Sequence, residues 1–163
     1  DELSIALKEG FLQRNFQGYS TYADCDLVAI GVSSIGKIGS TYSQNERDID
    51  AYYAALDAGH LPIMRGYQLN QDDILRRNII QDLMCRFSLD YQIYESVFGI
   101  PFSRYFAAEL EDMKQLETLG LVRLKPHSLT VTPMGRFLIR NIAMVFDYHL
   151  RHKETKAKYS QTV

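Results

Sequence analysis

Gln13-Arg14-Asn15-Phe16-Gln17-Gly18-Tyr19-Ser20-Thr21, followed by Ala23-Asp24 and by Asp26-Leu27-Val28-Ala29-Ile30-Gly31-Val32-Ser33-Ser34-Ile35-Gly36, is the stretch on which the fold of this chain turns. A polar, aromatic, glycine-broken loop over residues 13–25 leads into Leu27 to Val32, an apolar run with Val and Ile that is short enough for a buried strand. Gly31, Gly36 and Gly39 then predict a small-residue turn at the strand end. In sheet proteins such turns are where ligands dock.

Upstream, residues 1–12 read as a short helix with Leu3, Ala6 and Leu7 on one face and Gly10 closing it. Downstream, Asn45 is expected to cap a helix whose Ile49, Tyr52, Tyr53 and Leu56 form an amphipathic stripe, with Gly59 as its C′ residue. One strand-turn-helix unit cannot close a sheet. Residues 1–60 are therefore expected to need a partner, either chain upstream or the second segment.

Leu61-Pro62 opens that second segment. Asn70 caps a long helix with Asp72 and Asp73 in its first turn and Leu75, Ile79, Leu83 and Phe87 on its inner face. Asp90 caps a short helix with Ile93, Tyr94 and Val97 inward, ended by Gly99 before Pro101. Ser103 caps a third helix carrying Phe106, Leu110 and Met113, closed by Gly120. Leu121 to Leu124 and Ser128 to Thr132 alternate around Lys125-Pro126-His127, the pattern of a β-hairpin. Thr132 and Pro133 start a fourth helix with Leu138, Ile142, Val145 and Phe146 buried, and the tail from Arg151 to Val163 is expected to fray. Three helices, a hairpin and a closing helix give the order of a winged-helix domain. The fold class expected is α+β, mainly helical, with this winged-helix-like domain at the C-terminal end.

The composition is that of an ordinary globular protein: 163 residues, 46% hydrophobic, eight Phe and eleven Tyr but no Trp. No apolar run approaches the ~20 residues of a membrane helix. The chain opens at Asp1-Glu2-Leu3 without a start methionine or a charged-then-apolar leader, and is expected to be part of a longer polypeptide. A net charge of −2 argues against a dedicated nucleic-acid binder. The third helix sharpens that argument, because it sets Arg104 and Lys114 against Glu109, Glu111, Asp112 and Glu117, the wrong sign for phosphates. A winged-helix regulator of transcription remains the rival reading. Cys25 and Cys85 stand too far apart for a metal motif and read as reduced thiols. His149 and His152 read as cations at a helix C-terminus rather than zinc ligands. The glycines form neither a dinucleotide fingerprint nor a P-loop.

Asn15-Phe16-Gln17-Gly18-Tyr19 with Gly31-Val32-Ser33-Ser34-Ile35 resembles the oxygen-independent coproporphyrinogen III oxidases, also called coproporphyrinogen dehydrogenases. Tyr42-Ser43-Gln44-Asn45, Arg65-Gly66, Asp72-Asp73 with Arg76-Arg77, Arg86 to Tyr91, Gly120-Leu121-Val122 and Gly135 to Ile142 follow in that family's order. The likeness covers almost the whole chain and matches the C-terminal portion of the enzyme.

The resemblance implies that residues 1–60 are the C-terminal edge of a radical S-adenosylmethionine barrel, its last strand-helix unit, and residues 61–163 a helical cap domain. It implies oxidative decarboxylation of two propionates of coproporphyrinogen III to vinyl groups, giving protoporphyrinogen IX in anaerobic haem biosynthesis. It also implies a cytoplasmic enzyme, monomeric at full length and working apart from nucleic acid and membrane. The position of Ile35 touches S-adenosylmethionine in that family, and the position of Gln17 lies in the same pocket. An amide can bond an adenine or carboxylate edge and an Ile can cover an adenine face.

The tetrapyrrole substrate carries four propionates, and carboxylates call for guanidinium forks. Of Arg14, Arg65, Arg76, Arg77, Arg86, Arg136 and Arg140, the first candidates are Arg65 and Arg140. Arg140 lies one residue off the stripe of Leu138 and Ile142 and is expected to be partly covered. The family's CxxxCxxC motif, which holds a [4Fe-4S] cluster, is absent from this chain, so neither metal ligands nor a catalytic residue are expected in it. Alone the chain should be inactive. A relative that exchanged catalysis for haem carriage is the second alternative.

Overall fold

The structure, a computed structural model, describes residues 1–16, 18–22 and 25–152. It divides into two compact units, Asp1–Ile74 and Leu75–Val163.

The first unit opens with α1, Glu2–Glu9, capped by the Asp1 carboxylate and ended by Gly10 at φ 80°. Only Ala6 of its expected face is buried, while Leu3 and Leu7 stay exposed. The expected loop contains a small antiparallel pair, β1 (Gln13–Arg14) with β2 (Tyr19–Ser20). Next come β3 (Ile35–Ile38), β4 (Thr41–Asn45), α2 (Ile49–Asp57) and β5 (Ile63–Gln68). The three strands form one antiparallel sheet in the order β3-β4-β5.

This corrects the expected strand at Leu27 to Val32. That run makes a single bridge, Leu27 to Lys37, and leaves Val28 69% and Ile30 84% exposed. β3 lies instead where a glycine turn was expected. Gly36 is the reason: a Cβ there would meet Leu27 O at 2.9 Å, so this glycine marks a close backbone approach inside a strand. Asn45 is likewise not a helix cap. It sits buried in β4, and Asp48 caps α2 by accepting from the Ala51 N–H at 3.0 Å. The apolar stripe of α2 is present but Ile49, Tyr53 and Leu56 are all exposed, and Gly59 takes the expected left-handed position at φ 74°.

A long helix, α3 (Gln71–Arg86), begins in the first unit and runs into the second. Its start is a reciprocal cap: the Asn70 side chain accepts from the Asp73 N–H at 2.9 Å and Asp73 accepts from the Asn70 N–H at 3.0 Å. Leu75, Ile79 and Leu83 are buried as the spacing predicts. Phe87 leaves the helix at φ 59°, and Arg136 lies 4.6 Å above its ring.

The second unit continues with β6 (Ser88–Asp90), α4 (Tyr91–Phe98), α5 (Phe102–Tyr105), α6 (Ala107–Thr118), β7 (Val122–Lys125) and β8 (Ser128–Val131). The expected hairpin is β7-β8, and β6, which the sequence did not announce, joins its far edge in the order β6-β8-β7. In α4 the inward residues are Tyr91 and Tyr94, not Ile93 and Val97. Tyr91 stacks on Phe102 at 4.2 Å and Tyr94 meets the same ring at 5.7 Å, so aromatic packing fixes the face. The expected third helix starts at Phe102 rather than after Ser103, and breaks at Phe106.

The closing helix is also broken, into α7 (Pro133–Arg136), α8 (Ile139–Met144) and α9 (Tyr148–Arg151). Ile142 and Phe146 are buried, but Leu138 is 45% exposed. The expected fraying tail lies outside the described residues beyond His152; Arg151 itself is in α9 and pairs with Asp112. The core gathers Phe102, Phe106, Phe146, Ile79, Leu83, Met113, Leu129 and Ile142. The architecture is thus a mixture of helix and strand.

Candidate functional site

Ile35 pairs across the ladder with Gln44, and Gln44 pairs with Arg65. The three residues form one row across β3, β4 and β5, and residues opposite one another in a ladder project from the same face. The structure therefore brings together two of the residues singled out in the sequence, Ile35 and Arg65. The residue between them, Gln44, is the one sequence reasoning missed. Its only signal was its place in Tyr42-Ser43-Gln44-Asn45.

Gln44 organises the row. Its Oε1 accepts from Arg65 Nε at 3.0 Å and from Arg65 Nη2 at 2.7 Å, and Arg47 Nη2 reaches the same oxygen at 3.5 Å. Its Nε2 donates to Ser33 O at 3.0 Å. Ser33 is held at φ 59°, unusual for a residue other than glycine, while its N–H donates to Glu46 O at 2.7 Å. The loop before it is pinned twice more. Asn45 Nδ2 donates to Gly31 O at 3.0 Å and Ala29 O at 3.3 Å, and the Gly31 N–H donates to the Tyr52 hydroxyl at 3.1 Å. Ile35 itself is half-buried and Arg65 exposed.

Gln17 lies outside the described residues. Arg140 is in α8, in the second unit, and is exposed rather than partly covered. Cys25 is exposed and Cys85 buried, in different units, and neither is in a disulfide. Among the described residues no three His, Cys, Asp or Glu side chains converge as a metal would require. A cluster held by three thiolates has no ligand set here.

Tyr67, Tyr91 and Tyr94 are each raised above the usual tyrosine value. The Tyr94 hydroxyl donates to Asp82 Oδ2 at 2.5 Å, and burial together with that bond pushes it far above the usual tyrosine value. Burial, helped by the Glu117 charge, pushes Tyr91 up to about 12. The Tyr67 hydroxyl is raised by its bond to Asp73. None of these belongs to the Ile35 row.

Residues 69–138 match the family model of the HemN C-terminal domain. The oxygen-independent coproporphyrinogen III oxidase of Pseudomonas aeruginosa is 48% identical over 150 residues, 92% of this chain and 33% of that protein. The chain carries the HemN C-terminal domain and matches the C-terminal portion of the oxygen-independent coproporphyrinogen III oxidases. The enzyme of that name from Synechocystis is 44% identical over the whole chain and 36% of its own length, and that of Escherichia coli 42% over the same shares. A solved structure, coproporphyrinogen III oxidase (HemN) from Escherichia coli, described as a radical SAM enzyme, aligns with a TM-score of 0.88 at 44% identity, over 91% of this chain and 34% of that one. The chain thus spans about a third of the length of the family members it matches. Among the described residues, no helix is long and apolar enough to cross a membrane.

Proposed function

We propose that this chain is the C-terminal part of an enzyme that oxidatively decarboxylates coproporphyrinogen III to protoporphyrinogen IX in the cytoplasm. The observation that carries the reading is the identity of 42–48% with enzymes of that name across at least 92% of the chain. In this reading residues 1–60 are the C-terminal edge of the catalytic barrel and residues 61–163 a helical cap of winged-helix type. The uncovered surface of the first unit supports an upstream partner: Val28, Ile30 and Leu61 are exposed in loops, and Ile49 and Leu56 are exposed on α2, a helix with no buried residue. The order helix, β6, helices, β7, β8 supports the winged-helix comparison.

When bound, S-adenosylmethionine with a reduced [4Fe-4S] cluster would supply radical chemistry for hydrogen abstraction from a propionate. The cluster ligands belong to the part upstream. This chain contributes Ile35, and by the same resemblance Gln17, to the wall of the S-adenosylmethionine pocket. Arg65 and Arg140 meet substrate carboxylates. Nothing in the relatives or in the charge of α6 favours a DNA-binding regulator or a haem carrier. The test is an anaerobic turnover assay on the complete polypeptide. Loss of two carboxyl groups from coproporphyrinogen III, dependent on S-adenosylmethionine, is expected, with no turnover by residues 1–163 alone. A complete polypeptide with a loaded cluster that leaves the substrate intact sinks the reading.

A further inference from the structure

We propose that Arg65, held by Gln44 beside Ile35, is a receptor for an alkyl carboxylate, and that Gln44 is its positioning residue. The inference rests on the reading above only for the ligands that could bring that carboxylate.

Two guanidinium groups, those of Arg65 and Arg47, converge on one neutral oxygen, Gln44 Oε1. Neither arginine forms an ion pair with a described residue, whereas Arg76, Arg86, Lys114 and Arg151 all do. A neutral amide orients a guanidinium without neutralising it. With Nε and Nη2 turned onto Gln44, the Nη1 edge of Arg65 is left to face an acceptor, and a carboxylate is the acceptor that a guanidinium fits best. The amide is itself fixed from behind, because Nε2 donates to Ser33 O in a loop pinned by Asn45 and Tyr52. Side-chain entropy is thereby spent before any ligand arrives. The apolar neighbour in the row, Ile35, gives the site a dry side, so it suits a carboxylate on an alkyl arm rather than a bare inorganic anion.

Two molecules of this reading carry such a group: the methionyl end of S-adenosylmethionine and the propionates of the tetrapyrrole. The experiment measures binding of four probes to the complete polypeptide, wild type, Arg65→Gln and Gln44→Glu. The probes are S-adenosylmethionine, its decarboxylated analogue, coproporphyrin III and the coproporphyrin tetramethyl ester. Gln44→Glu keeps an acceptor for Arg65 and cancels its charge, but it also loses the donor to Ser33 O, a structural loss that would weaken probes with and without carboxyl groups alike. Both variants are expected to lose roughly ten- to hundredfold in affinity for one carboxylate-bearing probe, as charged hydrogen bonds do, and nothing for its carboxyl-free counterpart. Loss confined to the S-adenosylmethionine pair makes the cofactor the source, and loss confined to the porphyrin pair makes it the substrate. Equal affinities in all three proteins, or equal losses for probes with and without carboxyl groups, overturn the receptor. Turnover by the wild type is scored separately: wild-type inactivity sinks the functional reading, while carboxylate selectivity at Arg65 stands or falls on binding alone.

Discussion

Arg76 Nη1 and Glu109 Oε1 meet at 2.8 Å in the interior of the second unit, with side chains 10% and 7% exposed. Nη1 also donates to Phe146 O at 3.2 Å, and the guanidinium lies 5.1 Å from the Phe106 ring and 5.4 Å from the Tyr148 ring. One cation thus ties α3 to α6 and to the segment after α8. Removing either partner strands the other charge in the core, which costs about 3–5 kcal/mol, whereas replacing both with apolar residues is often near neutral. Glu109→Ala and Arg76→Met should each lower stability by that order, and Arg76→Met with Glu109→Leu by much less. Urea unfolding of the three variants checks it; additive losses would show that the pair is not coupled.

Gly135 is needed for want of space rather than for its backbone freedom. A Cβ there would fall 2.0 Å from Leu121 O and 2.9 Å from Val131 Cγ1, where α7 rests on the hairpin. Gly135→Ala should cost about 1–3 kcal/mol or more through overpacking. Gly99, which has nothing within 4 Å of a Cβ but sits at φ 65°, should lose less as Asn than as Ala, because Asn tolerates the left-handed region. Thermal melts separate the two causes.

Tyr91 gives a pH signature. Its value in the fold, about 12, lies above the ordinary tyrosine value of 10.0. The unfolded chain therefore releases this proton first as pH rises. The stabilisation is intact below about pH 10 and is lost on the way to about 12. Tyr94 shifts in the same direction, through burial and then Asp82. Each tyrosine adds up to about 1.4 kcal/mol per pH unit to the decline. Tyr91→Phe should flatten the fall of the urea midpoint between about pH 10 and 12; an unchanged slope would mean the hydroxyl ionises freely in the fold.

The second unit was the more legible half of the sequence. Its helices carry both a cap and a buried stripe, as at Asn70 with Leu75, Ile79 and Leu83, and its hairpin alternates around a proline turn. What escaped there was long-range: β6 exists only because Leu89 pairs with Leu129 forty residues on, and no local pattern reports such a partner. The first unit misled because its most apolar run, Leu27 to Val32, is not where its backbone pairs. Of the glycines that suggested a turn, Gly31 and Gly39 do lie in turns at positive φ, but Gly36 instead allows close strand approach, and the strands themselves, Thr41-Tyr42-Ser43-Gln44-Asn45 above all, are polar. Ile35 and Arg65 could be named from resemblance and chemistry. That Gln44 joins them is a fact of register, fixed by pairing across β4.

Asn45 is where the loop before the Ile35 row can be tested without touching it. The side chain is 4% exposed, and its Nδ2 supplies hydrogen bonds to both Ala29 O and Gly31 O. Alanine would leave those carbonyls without that donor and free a loop that otherwise depends on Tyr52 and Ser33. A buried acceptor deprived of its donor costs about 1–3 kcal/mol, and aspartate should be no better, since at neutral pH it can only accept. Asn45→Ala should speed amide exchange at Gly31 and Ser33 while leaving α3 and the hairpin of the second unit unchanged. Arg65 should become less ordered as Ser33 O drifts from Gln44. If exchange at Gly31 is unaltered, Tyr52 and Ser33 hold the loop and the Asn45 bonds contribute nothing to it.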